Sequence, residues 1–268
     1  MRCKQTTYLN LLSTILPDHC IVCRRTLKRG PLCRACTPLD PVIINRCNRC
    51  AGEVSSHEAI CELCRTLPTP FNSQNYLWSY ETKVRSMIVT MKYQPSYRLA
   101  IFCARKLADF LNINQAYYDV NLIVPIPSTK TALKKRGFNQ CAVIARRLSK
   151  YTSVPYTANG LLRISNPLPQ ASMPLSKRSR NIKGSFRGTR STIRGKRILL
   201  IDDVSTSGAT ASHAASVLLD TGAQSVDFIT LARAHAWDSM RFEIARGLKH
   251  FESQKRTSSC DKLGANHF

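Results

Sequence analysis

From about residue 75 onward the apolar positions switch repeatedly between two periods. "NYLWSY" is a short strand candidate, and "TKVRSMIVTMKY" puts Val84, Met87, Ile88 and Met91 on one helical stripe. "YRLAIFCARKLADFL" repeats that logic with Leu99, Phe102, Cys103, Leu107 and Phe110. "VNLIVPIP" reads as a buried strand ended by Pro125 and Pro127. "NQCAVIARRLSKY" predicts a helix with Val143, Ile144, Ala145 and Leu148 mostly inward. "KRILLI" and "SVDFITLARA" are further strands, and the helix "GATASHAASVLLDTGA" between them is closed by Gly222. Strands alternating with helices predict an α/β class, with a mostly parallel sheet covered by helices on both faces. Residues 163–196 fit neither period; rich in Ser, Arg, Asn, Pro and Gly, they predict a long functional loop around a short helix.

Upstream the pattern is set by cysteine. Eight of the twelve cysteines form four C-x-x-C pairs: Cys20 and Cys23, Cys33 and Cys36, Cys47 and Cys50, Cys61 and Cys64. The pairs are separated by nine, ten and ten residues. Each such turn presents two thiolates to one side, and two turns complete a tetrahedron around Zn2+. Four pairs therefore predict two structural four-cysteine zinc sites. Sequential pairing is the default expectation, and a cross-braced arrangement fits the spacing too. A redox motif of the thioredoxin kind is one pair beside a βαβ unit, not four in tandem. Zinc would supply the folding energy that so small a module lacks.

The domain expectations follow. Residues 1–70 form the cysteine module, with "YLNLLSTIL" as a short helix packing on it. That run is short, is interrupted by Asn10 and Ser13, and has no A-x-A-like cleavage site, so it reads poorly as a signal peptide. No apolar stretch approaches the roughly 20 residues of a membrane span, and a reducing, cytoplasmic location is expected. Residues 71–234 form the α/β domain. Residues 235–268 are an extension, expected to be partly disordered.

Charge changes the picture. The 40 Lys and Arg against 16 Asp and Glu give +24. Between Asp119 and Asp202 there are 82 residues without a carboxylate and with 17 Lys or Arg. Any one basic cluster is ordinarily a solvated face. An acid-free span of this length points to phosphate or nucleic acid.

The most specific stretch is "ILLIDDVSTSGAT". Strand, acidic pair, turn and helix is the geometry in which ligands bind at the carboxyl edge of a parallel sheet. Asp202 and Asp203 repel by about 1–4 kcal/mol, unless hydroxyl groups donate to them or a divalent cation stands nearby. Behind them the turn offers Ser205, Thr206 and Ser207 hydroxyls, Gly208 for close backbone approach, and Thr210. Its amides open a helix, where orphan N–H groups and the dipole favour an anion. Carboxylates for a cis-diol and turn amides for a phosphate describe a ribose 5-phosphate socket. A Walker reading fails, because no G-x-x-x-x-G-K-[ST] precedes the strand.

This stretch resembles the phosphoribosyl pyrophosphate signature of type I phosphoribosyltransferases. The resemblance implies that Asp202 and Asp203 contact the ribose hydroxyls. It further implies that Ser205, Thr206, Ser207, Gly208, Ala209 and Thr210 wrap the 5-phosphate, and that Mg2+ bridges the pyrophosphate. Ser207 stands where relatives often carry Thr, and a hydroxyl is retained. Together with "KRGFNQ", the cysteine pairs, and the spaced Gln170, Arg178, Asn181 and Phe186, the signature resembles the ComF competence family over residues 18 to about 234. That family is associated with uptake of single-stranded DNA in natural transformation. The resemblance implies a type I phosphoribosyltransferase-like domain behind a double zinc ribbon. Lys135 and Arg136 would neutralise the pyrophosphate, and the loop holding Gln170, Arg178 and Asn181 would close as a lid.

Two function classes stand. One is a phosphoribosyltransferase of unidentified acceptor, using Mg2+ and phosphoribosyl pyrophosphate. The other is a non-catalytic single-stranded DNA-binding competence factor that keeps the socket as a ligand sensor. Its partners would be DNA-processing proteins at the inner face of the membrane. Tyr151, Tyr156, Phe138 and Phe186 lie among the charges and are candidates for base stacking, though such rings are more often core.

Overall fold

The computed structural model describes residues 18–39, 46–52, 54–55, 59–66, 69–94, 96–113, 117, 119–164, 184–206 and 208–234. In the cysteine-rich part, β1 (Asp18–His19) pairs antiparallel with β2 (Thr26–Leu27), and α1 (Glu62–Thr66) carries Cys64. The chain then enters β3 (Gln74–Ser79), α2 (Thr82–Tyr93), α3 (Tyr97–Ile113) and β4 (Leu122–Pro125). Next come α4 (Lys130–Arg136), α5 (Gln140–Thr152), β5 (Leu161–Arg163) and β6 (Phe186–Gly188). It closes with α6 (Arg190–Ile193), β7 (Arg197–Ser205), α7 (Ala209–Asp220) and β8 (Ser225–Arg233).

The sheet has the order β3-β8-β7-β4 and is parallel throughout. Strands of such a sheet are buried on both faces and read as continuous apolar runs. Within β7 the alternation is visible: Leu199 and Ile201 join a core with α2, α3 and α5, whereas Ile198 and Leu200 join a second core with α7. The helices expected from periodicity form, and Val84, Met87, Ile88 and Met91 are all buried. Phe102 and Val143 are only partly buried, at the margin of their stripes. The structure thus has the α/β class that the alternating periods predict.

One expectation is refined. The ends of the 163–196 segment are ordered, because β5 and β6 pair antiparallel and α6 follows directly. Lys134, Lys135 and Arg136 lie between β4 and the helix that starts at Gln140, in a helix of their own. They form the last turn of α4, a helix capped by Thr129, whose hydroxyl accepts from Ala132 N at 3.1 Å. Gly137, at φ 78, ends it in the left-handed region. Three cations then complement the carboxyl end of the helix dipole.

The cysteine-rich part packs against the sheet. Cys20, Leu32 and Cys33 belong to the same apolar cluster as Leu77, Trp78 and Met87. Arg98 of α3 makes two 2.9 Å contacts to Asp18, and Trp78 Nε1 donates to Leu39 O at 3.0 Å. Arg46 lies over the Tyr76 ring at 4.1 Å, and Arg233 Nη1 donates to Cys50 O at 2.6 Å. "YLNLLSTIL", the 165–183 stretch and the 235–268 extension lie outside the described residues.

Candidate functional site

The carboxyl ends of β4 and β7 open onto a cavity of about 580 Å³. Strand parity sends the two acids to different sides. Asp203 has the parity of Leu199 and Ile201 and faces α2 and α5. There Lys92 Nζ stands 2.8 Å from its Oδ1, and Gln140 Nε2 donates to its Oδ2. Asp202 has the parity of Leu200. Its Oδ1 accepts from the Asp203 amide at 2.8 Å and faces the Cys141 thiol at 3.6 Å. Both acids line the cavity with Lys92, Lys135, Arg136 and Arg163, four cations against two acids. The lining therefore suits a ligand more anionic than a bare sugar.

Local structure holds these groups. Asn139 caps α5: its side chain accepts from Cys141 N at 3.0 Å and donates to Ile126 O at 3.1 Å. That fixes Gln140, which accepts from Arg136 Nη1 at 3.3 Å while donating to Asp203. Arg163 Nε donates to Pro127 O at 2.9 Å, with its guanidinium 4.5 Å from the centre of the Phe186 ring.

Burial first, and then the charge of Asp203, push the Asp202 carboxyl up to about 7. The Asp203 amide, Lys92 and Cys141 oppose that rise. Burial works against the Lys92 ammonium, yet the charge and hydrogen bond of Asp203 outweigh it and raise its pKa. Burial, followed by Asp203 and Asp202, holds the Cys141 thiol well above its ordinary value. Cys141 is therefore a neutral S–H donor, not a nucleophilic thiolate.

Behind Asp202 the loop forms a small concavity lined by Ser205, Thr206, Gly208, Ala209 and Thr210. Gly208, at φ 65, is the N-cap of α7, so this concavity sits at the start of that helix, where free N–H groups favour an anion. Of the sequence candidates, the structure brings Asp202, Asp203, Lys135, Arg136 and Thr210 to the main cavity, and Ser205, Thr206, Gly208 and Ala209 to the adjoining one. Ser207, Gln170, Arg178 and Asn181 lie outside the described residues. Sequence reasoning missed Lys92, Cys141 and Arg163 as site residues. Lys92 left a signal: it continues the Val84, Ile88 series by four residues, placing a cation on a buried stripe.

The cysteines form two tetrads, Cys20-Cys23-Cys33-Cys36 and Cys47-Cys50-Cys61-Cys64, each with all sulfurs within 4.8 Å. Pairing is thus sequential. Sulfurs stand 3.6 Å apart between Cys23 and Cys33 and 3.7 Å between Cys50 and Cys61. A tetrahedron with Zn–S bonds of about 2.3 Å has edges of about 3.8 Å. Gly52 N donates to Cys50 Sγ at 3.3 Å and Cys61 N to Cys47 Sγ at 3.2 Å, which favours thiolates. The donor sets fit structural zinc, which would cross-link each pair of turns. Cys141, Asp202 and Asp203 also bring donors within 4.8 Å. As an all-protein Mg2+ site that set is poor, with one protonated sulfur and Lys92 already at Asp203. Two carboxylates suffice where substrate phosphates supply further ligands.

No family model matches the chain. Among curated proteins it is similar to DNA utilization protein YhgH of Escherichia coli (strain K12), 25% identical over 225 residues, 81% of this chain and 98% of that protein. Competence protein F of Haemophilus influenzae is 23% identical over 223 residues, 81% of this chain and 97% of that protein. Competence protein ComFC of Bacillus subtilis (strain 168) is 28% identical over 235 residues, 83% of this chain and 88% of that protein. Among solved structures, glutamine phosphoribosylpyrophosphate amidotransferase from B. subtilis overlaps 50% of this chain at TM-score 0.35 and 17% identity. The chain spans only 27% of that enzyme's length. Purine phosphoribosyltransferase from Pyrococcus horikoshii overlaps 53% of this chain and 76% of its own at TM-score 0.32 and 18% identity. Along about four fifths of its length the chain is thus similar to proteins named for competence and DNA utilization.

Proposed function

We propose that the protein binds phosphoribosyl pyrophosphate with Mg2+ at the cavity and acts in the uptake or processing of single-stranded DNA. The observation that carries this reading is the meeting of both acids with Lys92, Lys135, Arg136 and Arg163 around one cavity, next to the hydroxyl-lined start of α7. Asp202 and Asp203 take the ribose hydroxyls. The turn from Ser205 to Thr210, Ser207 included, takes the 5-phosphate. Lys135, Arg136 and Arg163 neutralise the pyrophosphate, and the stretch holding Gln170, Arg178 and Asn181 covers the ligand. The cysteine module over 1–70, the domain over 71–234 and the extension over 235–268 remain the working division of the chain.

In the enzymatic form of this reading, the protein moves phosphoribose from the pyrophosphate donor to an acceptor. Catalysis is then positioning plus electrostatic stabilisation of the leaving pyrophosphate. Cys141, held as a neutral thiol, has no covalent role. In the second form the same socket senses the ligand while a nucleic-acid surface does the work. That form is favoured by the charge of +24 and by relatives named for competence and DNA utilization. Both forms place the protein in the cytoplasm, with DNA-processing partners at the inner face of the membrane. No helix among the described residues is long and apolar enough to cross a membrane.

The reading is tested by thermal shift. Phosphoribosyl pyrophosphate with Mg2+ should raise the melting temperature more than ribose 5-phosphate or pyrophosphate alone. Equal shifts from all three would remove the composite socket. Release of pyrophosphate with a cognate acceptor separates the enzyme from the sensor.

A further inference from the structure

One tyrosine reaches the rim of the cavity, and a second follows it by four residues in the chain. Tyr93 lines the cavity and is 57% exposed. Lys135 Nζ and the Arg136 guanidinium carbon stand 5.0 and 5.8 Å from its ring centre. Tyr97, also 57% exposed, stacks on buried Phe138 at 5.1 Å and 27°. Phe138 follows Arg136 by two residues, so the two tyrosines flank the basic turn of α4. Gln94, next to Tyr93, accepts a 2.8 Å hydrogen bond from Arg24 in the first cysteine turn. Contacts therefore run without a break from the first cysteine tetrad to the cavity mouth.

The chemistry along this path is uniform. Arg24, Arg25, Lys28, Arg29 and Arg34 are exposed around the first tetrad, and Lys134 and Lys135 are exposed at the far end. Among the described residues, none of Arg24, Lys134, Lys135 and Arg136 has a carboxylate within ion-pair distance. A basic cluster standing alone is ordinarily a solvated face. Here cations alternate instead with open aromatic faces, the combination that holds unpaired bases and their phosphates. Of the rings considered from sequence, Phe138 and Phe186 are buried, Tyr156 is partly buried, and Tyr151 is exposed with Arg105 over its ring at 5.4 Å.

We infer that Tyr93 and Tyr97 are a stacking platform for unpaired bases of a single-stranded nucleic acid, whose backbone lies along Arg24 and the Lys134–Arg136 turn. The strand shares Lys135 and Arg136 with the diphosphate of the cavity, so the two ligands exclude one another. This rests on the nucleic-acid part of the proposed function and is independent of pentosyl transfer.

The test uses full-length, zinc-replete protein and a fluorescein-labelled thymidine oligonucleotide of about 16 nucleotides. Tyr93→Ala and Tyr97→Ala should each weaken binding by roughly fivefold or more, whereas Tyr93→Phe and Tyr97→Phe should bind as wild type. Tyr97→Leu keeps an apolar contact with Phe138 without a ring and should weaken binding like the alanine variant. Arg24→Glu should weaken binding and flatten its salt dependence. Calorimetric binding of Mg2+-pyrophosphate should be unchanged in Tyr97→Ala and Arg24→Glu, and this ligand should displace the oligonucleotide from wild type. The inference is overturned if the ring-less variants bind normally, if a duplex binds as tightly, or if both ligands bind together unweakened. No oligonucleotide binding by wild type would remove the nucleic-acid part of the proposed function as well, which the ring variants alone cannot do.

Discussion

Lys92 Nζ lies 2.8 Å from Asp203 Oδ1, so the second acid of the pair meets its cavity already matched by a cation. Two adjacent carboxylates need hydroxyl donors or a cation to coexist. The fold supplies that cation from the last turn of α2, a helix whose other inward residues are apolar. Asp203 is thereby fixed on both oxygens, by Lys92 and by Gln140. Asp202 is the acid left to respond to a ligand.

Removing the Lys92 ammonium strands a buried carboxylate. Lys92→Met should lower the unfolding free energy by about 2–3 kcal/mol. Adding Asp203→Asn should restore part of the loss. The double-mutant cycle in urea reads the coupling directly. Additive single effects would mean that the ion pair contributes nothing.

Stability should also fall with rising pH through Asp202. Its carboxyl is raised in the folded protein to about 7, against an ordinary value near 3.8. The folded state therefore holds this proton while the unfolded chain releases it. The associated stability is full below about pH 4 and is lost as pH rises through about 7. Melting temperatures of wild type and Asp202→Asn, without added ligand or Mg2+, should diverge in the variant's favour from pH 5 to pH 8. A constant difference would remove the raised carboxyl from the account.

The class of fold was legible because both faces of the sheet are covered. Runs such as Ile198–Ile201 admit few alternatives, and the stripe of α2 fell where its period put it. The acid pair and its turn were legible because they are contiguous in the chain. Lys92 and Arg163 were not, because nothing local to either marks the cavity. Lys92 reaches Asp203 across 110 intervening residues, and Arg163 comes to the same cavity from the end of β5. Sequential pairing of the cysteines was the default reading of the spacing, and the tetrads adopt it.

Zinc should be stoichiometric at two ions per chain, one for each tetrad. Cys64→Ser should lose one ion, measured by elemental analysis. Stripping the first site should do more than loosen a module. Cys20, Leu32 and Cys33 share the core of α2 and α3, so the whole chain should melt at lower temperature. An unchanged transition after complete zinc removal would contradict that shared core.

Arg163 should discriminate between parts of the ligand. Arg163→Gln keeps a side-chain donor toward Pro127 O but loses the charge beside the acids. Affinity for Mg2+-pyrophosphate should fall about tenfold, the loss expected for a charge-assisted contact of about 1.4 kcal/mol. Ribose 5-phosphate should be affected less. Equal losses for both ligands in a competition assay would place Arg163 elsewhere than at the diphosphate.

The most direct measurement is calorimetric titration of zinc-replete protein with phosphoribosyl pyrophosphate and Mg2+, wild type beside Asp202→Asn/Asp203→Asn. The account predicts saturable heat at one site per chain for wild type and none for the variant. Heat that survives in the variant, or no heat in a folded wild type, would contradict a socket built on the acid pair.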